Sequence, residues 1–169
     1  ARVGTRRSNW PCNHFDSGLF QATLRASDVP GTISAFFLYA PAVDGALHEV
    51  DVEILGDDPS RMQVNYRVGG VMHPDLDAPP LIELGFDASE AAHDYGIIVN
   101  ESMIAVMVDG RLVWSRRAAD IGWRTIEPMQ VMVSHWGFDD GYCLWSSCYD
   151  RGSPASMMTV ERVARYVVR

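Results

Sequence analysis

Hydrophobic and polar positions alternate along most of the chain with a period of two. Such alternation is typical of β-strands that bury one face, whereas an amphipathic helix repeats every 3.6 residues. The segments predicted as strands are residues 19–26, 32–39, 49–55, 62–66, 96–99, 104–108, 112–115, 129–134 and 160–168. The pattern predicts no long amphipathic helix, and one short helical turn is expected at residues 90–93.

Turn sequences separate the predicted strands. Examples are Pro30-Gly31, Asp44-Gly45 and the stretch D-D-P-S at residues 57–60. Asp109-Gly110 is the strongest hairpin signal, because Asp-Gly tolerates the positive φ angles of a type I′ turn. Many short strands joined by such turns predict one all-β domain over residues 1–169, an antiparallel β-sandwich or barrel.

Composition narrows the range of partners. The 169 residues carry a net charge of −8, and every basic residue is Arg. An acidic chain has no general attraction to nucleic acid or to anionic membrane surfaces. No apolar run is long enough to span a bilayer. We therefore predict no nucleic-acid partner and no membrane partner, and the sequence leaves the oligomeric state open.

Cysteine and histidine spacing gives no support for a transition-metal site. The three cysteines include no C-x-x-C pair, so a structural zinc site is not expected. Cys143 and Cys148 either close a small disulfide or remain thiols together with Cys12. No H-x-H or H-x-x-x-H pair occurs among His48, His73, His93 and His135.

The chemically distinctive segment is H-E-V-D-V-E-I-L-G at residues 48–56. Alternate residues of a strand share a face, so Glu49, Asp51 and Glu53 point one way and the aliphatic residues between them point into the core. Crowding of three acids raises the pKa of at least one of them. Glycoside hydrolysis needs one carboxylate and one carboxylic acid. In a strand the α-carbons of Glu49 and Glu53 lie roughly 13 Å apart, and side chains that lean together bring the carboxyl groups to about 5–5.5 Å, the separation of a retaining mechanism.

Two other interpretations of the three acids stay open at this point. The plainest is a solvated sheet face, although such faces usually mix in basic or hydroxyl residues and this strand has none on its acidic face. The other is a Ca²⁺ site, since consecutive carboxylates on one face can hold a hard cation. Calcium sites normally also draw on loop carbonyls and a glycine turn.

The segment E-V-D-V-E-I-L-G resembles the active-site signature of glycoside hydrolase family 16, which includes bacterial lichenases (β-1,3-1,4-glucanases), laminarinases and exopolysaccharide depolymerases. The likeness extends along most of the chain, because order and spacing agree from about residue 5 to the C-terminus. The matching stretches include S-A-F-F-L-Y (34–39), M-Q-V-N-Y (62–66), L-G-F-D-A-S (84–89), H-D-Y (93–95), V-D-G (108–110) and V-S-H-W (133–136).

The resemblance implies a concanavalin-like jelly roll, an antiparallel β-sandwich whose concave sheet forms an open cleft. It implies retaining hydrolysis of a β-linked glucan or a similar polymer, with Glu49 as the nucleophile, Glu53 as the general acid/base and Asp51 assisting between them. It also implies cleft residues that contact the substrate through stacked rings or polar groups. These are Phe37, Tyr39, Gln63, Asn65, Trp136 and, at the rim, Arg7.

The chain departs from the family pattern at several positions. Leu47 stands where the family usually has Trp two residues before the nucleophile, and Arg67 stands where a Tyr often follows the cleft Asn. Family members also carry further residues before the position of Arg7, so either such residues precede this sequence or the sandwich lacks the family's N-terminal strands. The family's calcium site uses that N-terminal part and a C-terminal Asp, near which this chain has Glu161. Structural calcium therefore stays an alternative, and no cofactor is predicted.

We therefore expect a retaining endo-β-glycan hydrolase that acts on a polysaccharide or oligosaccharide, and that transglycosylates if an acceptor sugar replaces water. The usual substrates of the family imply a secreted protein. The alternative is a glucanase-fold protein repurposed as a non-hydrolytic biosynthetic enzyme or as a carbohydrate-binding module, because fold does not fix function. Leu47 and Arg67 favour this alternative, and the intact acid triad favours the enzyme.

Overall fold

The regular structure of the described residues is almost entirely antiparallel strand. The computed structural model describes residues 2–4, 14–40, 47–124, 128–137 and 146–167. The elements in these ranges are β1 (Arg2–Gly4), β2 (His14–Phe15), β3 (Gly18–Arg25), β4 (Thr32–Ala40), β5 (His48–Leu55), β6 (Arg61–Val68), β7 (Val71–Met72), β8 (Leu81–Glu83), β9 (His93–Val99), β10 (Met103–Val108), β11 (Arg111–Arg117), α1 (Ala118–Ile121), β12 (Met129–Gly137) and β13 (Thr159–Tyr166).

The strands form two sheets. The larger sheet has the order β1-β12-β4-β5-β6-β7, with β2 also paired to β12 and β8 also paired to β6. The smaller sheet has the order β11-β10-β9-β3-β13. The two sheets pack face to face around one continuous apolar core, to which both contribute. The predicted antiparallel β-sandwich is confirmed.

The core is built from every second residue of the strands. Val50, Val52 and Ile54 of β5 are at most 1% exposed and pack with Phe36 and Leu38 of β4. Full burial of such a side chain contributes about 1.5–3 kcal/mol. A one-residue slip of β5 would exchange these aliphatic residues for the acids, so burial of this face fixes the register.

The other face of the larger sheet points away from the smaller sheet, and we call it the cleft face. It carries a separate apolar cluster of Ile33, Ala35 and Phe37, against which Trp136 packs. Alternation along β4 therefore places Phe37 on the cleft face and Phe36 in the core. Along β12 it places Trp136 on the cleft face.

Of two predicted local features, the hairpin at Asp109-Gly110 forms and the helical turn at residues 90–93 does not. Asp109 and Gly110 have φ angles of 48° and 77°, as the predicted hairpin between β10 and β11 requires. The helical turn predicted at residues 90–93 is wrong, since β9 begins at His93. The Asp87 carboxylate accepts hydrogen bonds from the backbone N–H and the hydroxyl of Ser89, and such local bonds compete with a helix.

No helix in the described ranges is long and apolar enough to cross a bilayer.

Cys148 is disulfide-bonded, so the interpretation of three free thiols is wrong. Trp114 and Trp123 are core residues. Other predictions concern residues outside the described ranges. They are the substrate contact of Arg7, the turn at Asp44-Gly45, and the state of Cys12 and Cys143.

Candidate active site

Three adjacent strands bring the predicted site residues into rows on the cleft face. Residues directly opposed in antiparallel strands share a face and lie close together. Each acid of β5 therefore has one neighbour on β4 and one on β6. The rows are Tyr39–Glu49–Arg67, Phe37–Asp51–Asn65 and Ala35–Glu53–Gln63.

A cavity of about 660 Å³ opens on this face. All three acids of β5 line it, so the acidic face is not an ordinary solvated sheet surface. Its described lining consists of Glu49, Asp51, Glu53, Gln63, Asn65, Arg67, Met72, His73, Asp77, Pro79 and Trp136. Concave pockets that hold titratable groups with perturbed pKa values are typical of binding and catalytic sites.

The surroundings of Glu53 favour the protonated form of its carboxyl group. Its side chain is buried, and burial is the main reason that its pKa rises from the ordinary 4.5 to about 7. The amide Nδ2 of Asn65 donates a hydrogen bond to Glu53 Oε2 and lowers the pKa, while the negative charge of Glu49 raises it. A carboxyl group of this kind can give up and take back a proton near neutral pH.

Asp51 lies between the two glutamates and is also buried. Burial raises its pKa well above the ordinary value, and the charges of Glu49 and Glu53 raise it further. The guanidinium of Arg67 acts in the opposite direction. Asp51 therefore keeps its proton more readily than an exposed Asp, and a protonated carboxyl can donate a hydrogen bond to a neighbouring carboxylate.

Glu49 has a cationic neighbour that the sequence analysis did not identify as a site residue. Arg67 Nε lies 3.4 Å from Glu49 Oε2, and the two residues are directly opposed in the register. The ion pair stabilises the ionised form of Glu49. Its sequence signal is weak, because opposite charges nine residues to either side of Asp58 face each other only if the turn at residues 57–60 is centred on that residue.

The predicted sugar-stacking aromatics are divided between two environments. Trp136 lines the cavity, and Gln63 and Asn65 line it as well. Phe37 and Tyr39 are on the same sheet face but are not among the described lining residues. The ring of Phe37 is buried in the apolar cluster of the cleft face, so it supports the floor of the site.

One wall of the cavity comes from the segment after β6, in which the sequence predicted no catalytic or substrate-binding residue. Met72, His73, Asp77 and Pro79 of this segment line the cavity. His73 has a φ angle of 44°, uncommon for a residue with a side chain, and its ring lies 5.0 Å from that of Tyr66. Burial and the nearby charge of Arg67 lower the pKa of His73, which keeps the imidazole neutral.

Among the described residues, no three His, Cys, Asp or Glu side chains are grouped so that they could hold a metal ion. Glu161, which the resemblance relates to a calcium site, is exposed on β13.

Comparison with known proteins gives consistent similarities. The family model described as "Glycosyl hydrolases family 16" matches residues 5–150. The chain is 31% identical over 155 residues to a β-glucanase of Brevibacillus brevis, covering 88% of this chain and 54% of that protein. It is 35% identical over 125 residues to a xylanase/β-glucanase of Ruminococcus flavefaciens, covering 73% of this chain and 15% of that protein.

Solved structures share the fold. The crystal structure of a prokaryotic β-1,3-1,4-glucanase (lichenase) from a mouse hindgut metagenome superposes with a TM-score of 0.79 at 27% identity, covering 99% of this chain and 78% of the other. The chain thus spans about half or less of the length of the two relatives above, but most of this structural neighbour.

Proposed function

The chain belongs to glycosyl hydrolases family 16, and on that basis we propose that it is a retaining endo-β-glycan hydrolase. The observation that carries this proposal is the contrast between two glutamates on one strand. Glu49 is ion-paired with Arg67, whereas Glu53 is buried with its pKa raised to about 7. One carboxylate and one carboxylic acid on the same cavity wall are what a double displacement requires.

In the first step the Glu49 carboxylate attacks the anomeric carbon of the bound sugar. The glycosidic C–O bond breaks, and its oxygen takes the proton of Glu53 as the aglycone sugar leaves. The products of this step are a glycosyl ester on Glu49 and an ionised Glu53. The raised pKa of Glu53 supports this role, because about half of the group is still protonated near neutral pH.

In the second step Glu53 acts as a base. It takes a proton from water, whose oxygen attacks the anomeric carbon, and the ester bond to Glu49 breaks. Glu49 is released as a carboxylate, Glu53 is protonated again, and the anomeric configuration is retained. If the hydroxyl of an acceptor sugar takes the place of water, the same atoms move and the outcome is transglycosylation.

Asp51 is a positioning residue in this scheme. Its raised pKa lets it stay protonated while Glu49 is ionised, and a hydrogen bond donated to either glutamate would keep the two acids in different states. Trp136, Gln63 and Asn65 line the cavity and are placed to contact the glycan. A polymeric glycan as substrate implies action outside the cell, so we include secretion in the proposal.

The test is hydrolysis of a panel of β-glucans by wild-type protein and two variants. Glu49→Gln should lower kcat more than about 10³-fold, and the exposed-residue control Glu101→Gln should leave it unchanged. Proton NMR of the first product should show the β-anomer before mutarotation. Initial release of the α-anomer would contradict the double displacement, and full activity of Glu49→Gln would contradict the assignment of the nucleophile.

Carbohydrate binding without hydrolysis is the second candidate. The Arg67–Glu49 ion pair favours it, because a carboxylate held by a guanidinium is a weaker nucleophile than a free one. In that case the wild type and Glu49→Gln would bind the same glycans with no release of reducing sugar from either. Turnover by the wild type would exclude this candidate.

A further inference from the structure

The Arg67 guanidinium has unused hydrogen-bonding capacity in the cavity. Arg67 lines the cavity, and one third of its side chain is exposed. Its approach to Glu49 is through Nε alone at 3.4 Å, and within the described part of the chain it makes no hydrogen bond. The two terminal NH₂ groups are therefore available to a ligand. A guanidinium offers these donors as a planar fork that matches carboxylate or sulfate oxygens.

His73 provides an independent sign of a ligand at the same end of the cavity. Only 7% of the surface of His73 is exposed, although the residue lines the cavity. Its Nε2 has no hydrogen-bond partner among the described residues. A buried polar atom without a partner is destabilising, and so is a left-handed φ angle at a residue with a side chain. Both features occur at one residue that also interacts electrostatically with Arg67.

The charge balance of the proposed reaction indicates what kind of ligand fits. When Glu49 becomes a glycosyl ester it loses its negative charge, and Arg67 then lacks its ionic partner. A partly buried cation without a partner is unfavourable. A neutral sugar hydroxyl can fill the hydrogen bonds of the fork but does not restore the charge, whereas an anionic group does both.

We propose that the Arg67 end of the cavity is a subsite for a sugar unit that carries an anionic substituent, either a carboxylate or a sulfate ester. The proposal deepens the hydrolase function and rests on it for the charge argument. It makes the substrate an acidic β-glycan or a β-glycan with scattered acidic units. Asp77 also lines the cavity, and its charge limits the anionic subsite to the immediate surroundings of Arg67.

The experiment compares two polymers with one backbone, lichenan and partially carboxymethylated lichenan. The wild type should cleave the carboxymethylated polymer with a kcat/KM about tenfold above that for the parent, the equivalent of one charge-assisted hydrogen bond. Arg67→Gln should abolish this preference, so that the ratio of the two kcat/KM values falls to about one. Its kcat/KM for neutral lichenan should also fall, because Arg67 is the ion-pair partner of Glu49, so the ratio is the quantity that tests the subsite. Arg67→Lys keeps the charge without the fork and should fall between the two.

Controls separate the subsite from stability and from general charge effects. The exposed Arg111 is on β11 of the other sheet, so Arg111→Gln has the same charge change and should keep the preference. Thermal midpoints of all variants establish that they are folded. An equal loss on both polymers in Arg67→Gln would overturn the subsite and leave Arg67 as a positioning residue for Glu49.

Binding distinguishes failure of this proposal from failure of the hydrolase proposal. The Glu53→Gln variant should bind the polymers without cleaving them. Its migration is therefore measured in native gels that contain either lichenan or carboxymethylated lichenan. One outcome is that carboxymethylated lichenan retards Glu53→Gln more than lichenan does, that this difference disappears in the double variant with Arg67→Gln, and that the wild type cleaves neither polymer. This outcome would support the subsite and reject the hydrolase proposal. Equal cleavage of both polymers by the wild type would support the hydrolase proposal and reject the subsite.

Discussion

Replacing Glu53 with Gln should stabilise the fold at alkaline pH. Glu53 is only 9% exposed, and burial is the main cause of the rise in its pKa from 4.5 to about 7. At 1.36 kcal/mol per pH unit, this difference is worth about 3 kcal/mol when the group is ionised in the folded state. Gln has nearly the same shape, carries no charge, and can accept the amide hydrogen of Asn65 through its carbonyl oxygen.

The sign of the effect follows from the direction of the pKa change. A carboxyl group whose pKa is higher in the folded state favours folding below its unfolded pKa of about 4.5, and that contribution is lost as pH rises through about 7. Glu53→Gln should therefore raise the free energy of unfolding by about 3 kcal/mol at pH 8, and by less than about 1 kcal/mol at pH 5.

Urea unfolding at pH 5 and pH 8, followed by tryptophan fluorescence, measures this difference. Glu101→Gln, at an exposed turn, should show the same small change at both pH values. An equal effect of Glu53→Gln at the two pH values, or destabilisation at pH 8, would refute the reasoning that burial disfavours the charged form of Glu53.

Three further changes test other parts of the structure. Asn65→Ala removes the hydrogen bond that lowers the pKa of Glu53, so the alkaline limb of the kcat/KM profile should move up by about 1 pH unit; an unchanged limb would exclude Glu53 as the acid. Asp51→Asn should raise the urea midpoint more at pH 8 than at pH 5, because burial and neighbouring charges raise the pKa of Asp51; a uniform change would contradict this. Gly56→Ala would place a Cβ 2.1 Å from the carbonyl oxygen of Val29, so it should destabilise the fold by about 1–3 kcal/mol in thermal unfolding; a neutral result would show that the segment at Val29 can move.

The long strands were predictable because each buries one face. Alternation alone separated Val50 and Val52 from Glu49, Asp51 and Glu53, and the structure has these two groups on opposite faces of β5. The shortest strands were not predicted, since two or three residues carry no measurable period. Their pairing depends on the neighbouring strand rather than on their own sequence.

The surroundings of the acids could not be predicted from the chain. The Arg67–Glu49 pair depends on the register between β5 and β6. The sequence predicted the turn at residues 57–60 but not which residues would be opposed across it. The burial of Asp51 and Glu53 depends on the walls of the cavity, and one wall comes from the segment around His73. That segment lacks any periodic pattern, so its strained backbone and its position in the cavity are tertiary features.

The alternation along β5 and β6 also bears on how such a protein changes over evolutionary time. The apolar core uses one set of positions in these two strands and the cavity uses the other, and the two sets interleave without sharing a side chain. A lineage can therefore accumulate replacements on the cleft side, such as Arg67, without repacking the interior. Divergence at these cleft positions is limited by the chemistry of the site more than by the packing of the core.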